Sequence, residues 1–151
     1  MGVIPDLNSG FMGQKAFAMV VTNYRLIFAQ ITNKMMKEEI ERAKAQAQQQ
    51  GAGTFGKWTA SVGAGFNIHQ RYYQMPPQAI LQESPGNFEI RPELVKSVRI
   101  SHGHYDPQYS HQTPNKMVIK WSGGKNKFTF ERIDPQQIRN LLTPLLGTKV
   151  K

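Results

Sequence analysis

Apolar residues alternate with polar or small ones near both ends of the chain, and recur every three to four residues in its middle. Over residues 15–30, Phe17, Met19 and Val21 alternate with Ala18 and Val20, and Leu26 and Phe28 alternate with Arg25 and Ile27. Thr22 and Asn23 separate the two runs, which predicts a β-hairpin covered on both faces. The period then changes. Met36, Ile40, Ala43 and Ala47 fall on one helical face, with Glu38 and Arg42 as an i,i+4 pair on another, so a helix is predicted from about Asn33 to Gln50. Gly51-Ala52-Gly53 ends it. Phe55, Trp58, Val62, Phe66, His69 and Tyr73 continue the helical spacing behind Thr54 as a cap, and Pro76-Pro77 stops it. Residues 33–75 are therefore predicted to be a helical hairpin inserted into a β domain.

Residues 77–84 read as a helical turn carrying Ala79, Ile80 and Leu81, and Ser84-Pro85-Gly86-Asn87 as a turn. Phe88 and Ile90 begin a short strand, and Val98 and Ile100 share one face of a strand near 96–102. Residues 103–114 are polar and aperiodic, which predicts a long loop. Met117, Ile119 and Trp121 alternate and are answered by Phe128 and Phe130 across Ser122-Gly123-Gly124-Lys125, the clearest hairpin in the chain. Lys120 and Lys127 fall on the face opposite these apolar residues. At the end, Asp134 caps a helix, Pro135 occupies its first turn, and Ile138, Leu141, Leu142 and Leu145 form its apolar stripe. Pro144 is expected to kink or end that helix.

Composition narrows the classes. Hydrophobic residues make up 39% and charged residues 19%, a globular rather than a disordered balance. The length of 151 residues suits one domain, 1–151. With no cysteine, disulfides, zinc–thiolate sites and thiol catalysis are excluded. No apolar run approaches a membrane span and no secretory leader is apparent, so a cytoplasmic protein is expected, with peripheral membrane contact open to it. The net charge is +9, and it is concentrated. Residues 115–151 carry Lys116, Lys120, Lys125, Lys127, Arg132, Arg139, Lys149 and Lys151 against Glu131 and Asp134 alone. Such a surface attracts phosphates on lipid, nucleic acid or protein, although solubility alone would also account for it.

At Val20-Val21-Thr22-Asn23-Tyr24-Arg25-Leu26-Ile27-Phe28 the sequence resembles the hairpin of GRAM and prokaryotic PH-like domains. The stretch from Phe88 to Ile100 is similar to the family segment that leads into a strand, and the hairpin at 116–131 with the helix at 134–146 is similar to the family's ending. The resemblance spans roughly 10–31 and 86–147, and the insertion at 32–85 departs from a minimal domain of this kind. It implies an α+β fold: a PH-like antiparallel β-barrel of six or seven strands, with an inserted helical hairpin and a C-terminal capping helix. It also implies a binding or scaffolding module rather than an enzyme.

The remaining motifs are weaker. Gly51 to Lys57 has the spacing of a P-loop, but Trp58 stands where a Ser or Thr would hold magnesium, and no strand precedes it. His102, His104, Asp106 and His111 are the only metal-like cluster; a polar loop containing histidine explains them as well. No acid–base or nucleophile constellation emerges, and no metal or cofactor is expected. The function expected is non-catalytic binding of an acidic surface, either membrane phospholipid or a protein partner. Lys116, Lys120, Lys125, Lys127 and Arg25 are the candidate ligands. Phe55, Trp58, Phe66 and Tyr73 are candidate partner or membrane contacts, unless their stripe is simply core. Nucleic-acid binding and a homo-oligomeric scaffold built through the insertion are the alternatives.

Overall fold

The computed structural model describes residues 1–49, 51, 53 and 68–151. Its elements follow in chain order as β1 (Gly2–Ser9), β2 (Lys15–Val21), β3 (Leu26–Ile31), α1 (Asn33–Gln49), α2 (Pro77–Glu83), β4 (Phe88–Ile90), β5 (Val95–Ser101), β6 (Tyr105–Asp106), β7 (His111–Gln112), β8 (Asn115–Trp121), β9 (Gly124–Phe130) and α3 (Pro135–Leu146). Short 3-10 turns lie at Phe11–Gly13, Ile68–Tyr73, Pro92–Leu94 and Gly147–Lys149. Seven strands form one antiparallel sheet in the order β4-β3-β2-β1-β9-β8-β5, and β6 and β7 form a separate two-stranded hairpin. The fold is α+β, and both predicted hairpins are present.

The sheet bends but does not close, which corrects the expected barrel. Closure would require β4 to pair with β5, and these are the two ends of the sheet. β4 is three residues long and runs into Pro92, which has no N–H to donate. The outer edge of β5 is engaged by the chain's own end: Ile100 donates to the Lys151 carbonyl at 2.9 Å and Lys151 donates to the Val98 carbonyl at 2.8 Å. The bend itself is visible in four rings. Phe28 on β3 stacks on Phe128 of β9 at 5.2 Å and on Phe88 of β4 at 4.7 Å, with Phe17 edge-on to both Phe88 and Phe128. β3 and β9 are not neighbours in the sheet, so the inner face must curl for these rings to meet.

Strand β1 was not expected, because Pro5 and Asp6 are poor strand residues. A bulge accommodates them. The register with β2 shifts between Ile4 and Leu7, and Asp6 takes φ 55°. The irregularity changes the phase of the strand, so Ile4 and Leu7, three apart, both enter the inner core. That core also holds Ile138, Leu142 and Leu146 of α3, whose cap is the expected one: the Asp134 carboxylate accepts from Gln136 N at 2.6 Å. Pro144 lies inside the helix, which continues to Leu146, and Gly147 closes it at φ 57°.

The first meander, β1–β2–β3, is buried on its other face too, by the return limb of the insertion, residues 68–83. Tyr72 and Ile80 pack with Val3, Ala18, Val20, Ile27 and Ala29. The Tyr72 hydroxyl donates to Glu83 at 3.1 Å, and Arg71 pairs with the same carboxylate. Burial above all, and then the neighbouring Glu83, push the Tyr72 hydroxyl well above the ordinary tyrosine range. Asn87 fastens the limb to β3: its side chain accepts from Gln30 N at 2.7 Å and donates to the Ile80 carbonyl at 2.6 Å.

The expected helical hairpin is therefore only partly recovered. α1 is present, but among the described residues it makes no extended packing contact with any strand. The expected second helix falls mostly outside the described residues, and 68–73 is a 3-10 turn. There the buried positions are Ile68 and Tyr72, one residue out of phase with the predicted His69 and Tyr73. The predicted loop over 103–114 contains the β6–β7 hairpin. Among the described residues, no helix is long and apolar enough to cross a membrane.

Candidate binding surface on the second meander

The three strands β5, β8 and β9 have one face in the core and one in solvent, and their register decides which side chains share the outer face. Met117 lies opposite Phe128, and Ile119 opposite both Asn126 and Val98; these point inward. The intervening pairs point outward: Lys116 with Thr129, Val118 with Lys127, and Lys120 with Lys125. On the other side of β8, Ser97, Arg99 and Ser101 oppose Lys120, Val118 and Lys116. One sheet face thus carries Arg99, Lys116, Lys120, Lys125 and Lys127, all exposed, and no carboxylate.

Two features describe how these cations are held. Among the described residues none of the five is in an ion pair, as is also true of Lys15, Lys37 and Lys96, whereas Arg25, Arg71 and Arg132 each have a carboxylate partner. Lys120 and Lys125 also stand directly opposite one another across the ladder, an arrangement of like charges that costs stability. The tip of the hairpin is held by Trp121, whose Nε1 donates to Asn126 at 2.8 Å, and a Cβ on Gly123 would run into the Trp121 ring.

A groove of about 1040 Å³ borders this face. One wall is Lys116, Val118 and the run Lys125–Thr129; the other is Asn8, Ser9 and the turn through Gly10, Met12 and Gly13. That turn holds Met12 at φ 56° between two left-handed glycines and leaves it 87% exposed at the rim. A strained non-glycine backbone of this kind persists only where its surroundings impose it.

Of the residues expected to bind, Lys116, Lys125 and Lys127 line the groove and Lys120 continues the same face. Arg25 belongs to the other half of the sheet and forms an ion pair with Glu89 at 2.6 Å. Tyr73 is 46% exposed, and its hydroxyl accepts from Val3 N at 3.3 Å. Phe55, Trp58 and Phe66 lie outside the described residues, as does most of the P-loop-like stretch. Arg99 was missed, although its alternation with Val98 and Ile100 marks it as outward-facing. The Asn8–Gly13 wall carried no signal, because β1 itself was not foreseen. His102, His104 and His111 are exposed, and among the described residues no group of three or more His, Cys, Asp or Glu side chains comes together. No family model, no curated protein and no solved structure matches this chain.

Proposed function

We propose that the chain is a non-catalytic, PH-like module that docks on acidic membrane phospholipid through the outer face of β5, β8 and β9. The observation that carries this reading is the set of five cations on one face without acidic partners, two of them held directly opposite each other. An anionic surface is the environment in which that arrangement becomes favourable, at about 1 kcal/mol for each basic residue brought near it. The bent antiparallel sheet, with an amphipathic helix lying in its inner face, supports the PH-like part of the reading. The side chains favour lipid over single-stranded nucleic acid. Phe128, Phe130 and Trp121 pack in or against the core, so the outer face offers charge without a ring on which a base would stack.

The test is co-sedimentation with vesicles containing phosphatidylserine, set against vesicles of phosphatidylcholine alone. Binding is expected only to the acidic vesicles and is expected to weaken with added salt. Charge reversal at Lys120 and Lys127 together should weaken it by about tenfold or more. Unchanged sedimentation of the doubly reversed protein discards the reading. Tighter, salt-sensitive binding to single-stranded RNA than to vesicles replaces it with the nucleic-acid one.

A further inference from the structure

The groove has a property that charge does not describe: one of its walls is the edge of a strand. β9 pairs with β8 along its whole length, from Gly124 opposite Trp121 to Phe130 opposite Asn115. On its other side it meets β1 at a single position, Thr129 opposite Asn8. β1 ends at Ser9, and Gly10, at φ 87°, turns the chain away into the Phe11–Gly13 turn. Among the described residues no strand then lies beside Gly124–Phe128 on that side. Consecutive residues of a strand point to opposite faces of a sheet, yet Lys125, Asn126, Lys127 and Phe128 all line the same groove. Only a groove that runs along the strand's edge meets both sets. Alternate residues of this stretch must present their backbone N–H and C=O into it.

We propose that the groove is a strand-sized slot that takes an extended acidic peptide by adding it to the free edge of β9. Five extended residues span ~17 Å, the length of the unpaired stretch. The main chain of the peptide would complete the ladder, and its alternate side chains would be read by the walls. Lys116, Lys125 and Lys127 admit carboxylates, and Val118 beside them and Met12 on the opposite wall supply apolar contact. Lysines beside an open strand edge also repel basic strands and discourage unselective pairing, so the same charges that protect the edge select its partner. The other sheet edges offer less. β5 is engaged by Lys151 and β4 is only three residues long.

This inference does not rest on membrane docking, and its test does not use vesicles. The full chain is titrated with a capped peptide of about seven residues alternating glutamate and valine, and binding is read by fluorescence anisotropy and amide hydrogen exchange. Two further probes keep the same side chains but are N-methylated on one or the other alternate set of amides. A peptide paired to a strand edge uses only one set, so one methylated probe should lose about tenfold or more in affinity while the other binds like the parent. Exchange should slow at alternate amides within 124–128. A lysine–valine probe should not bind. Equal binding of the two methylated probes would show side-chain attraction alone and overturn the proposal, as would no binding of the glutamate probe at millimolar concentration. Loss of vesicle binding in the separate sedimentation experiment leaves each of these outcomes readable.

Discussion

Tyr72 shows how much a single side chain can be asked to do in this fold. It is fully buried against the first meander, and its hydroxyl reaches Glu83, whose carboxylate also pairs with Arg71. Removing the hydroxyl with Tyr72→Phe keeps the ring and leaves the carboxylate one donor short. Stability should fall by about 1 kcal/mol, measured by urea denaturation at neutral pH. The same residue predicts an alkaline signature. Its folded-state pKa lies above the ordinary value of ~10, so the fold holds the neutral hydroxyl and the unfolded chain ionises first. The stabilisation is complete below about pH 10 and is lost as pH rises from there toward the folded value. The urea midpoint of the parent should therefore drop more steeply between about pH 9.5 and 11 than that of Tyr72→Phe. Parallel curves would remove Tyr72 as the cause.

At the scale of elements, the β8–β9 hairpin sets stability against binding. Lys120 opposite Lys125 costs the ladder something, and Lys120→Glu turns that pair into an attractive one. It should raise stability by roughly 0.2–1 kcal/mol and weaken vesicle binding at the same time. A variant that binds acidic vesicles more tightly would contradict the assignment of this face to an anionic surface, and one that loses stability would show that the opposed lysines carry no such cost. The same hairpin shows what the sequence made legible. Alternation put Lys120 and Lys127 opposite the apolar residues, because a strand's period of two needs no tertiary information, whereas Lys125 read as part of the turn and only the observed register sets it and Lys116 on the same face. β1 was illegible for the converse reason. Its Pro5 and Asp6 break the alternation, and only pairing with β2 shows that a bulge absorbs them. With β1 hidden, the opposite wall of the groove and the free edge of β9 were hidden as well. Closure of the sheet depends on the short β4 and on where Val150 and Lys151 lie, both long-range facts that no local pattern contains. Asn87 is another such case: it reads as an ordinary turn residue, yet its side chain joins β3 to α2.

For the whole molecule, the insertion divides into parts with different duties. α1 begins at Asn33, directly after β3, and lacks extended packing on the described strands, whereas Ile68–Glu83 seals the outer face of β1, β2 and β3. Two deletions separate these duties. Joining Thr32 to Ile68 through a Gly/Ser linker removes α1 but keeps Tyr72, Ile80 and the Asn87 fastening. Joining Ile31 to Pro77 removes Tyr72 as well and uncovers Val20 and Ile27. Emptying a site filled by a large buried aromatic costs about 3–5 kcal/mol, a substantial part of a domain's whole stability. The first deletion should unfold cooperatively with a midpoint near that of the full chain. The second should be strongly destabilised, or should aggregate through the exposed outer face of the first meander. Light scattering on the full chain and the first deletion then addresses self-association. A fall in mass from dimer to monomer places the contact in residues 33–67, and equal masses assign none to them. If the second deletion is as stable as the first, the return limb does not seal the sheet and the division of duties is wrong.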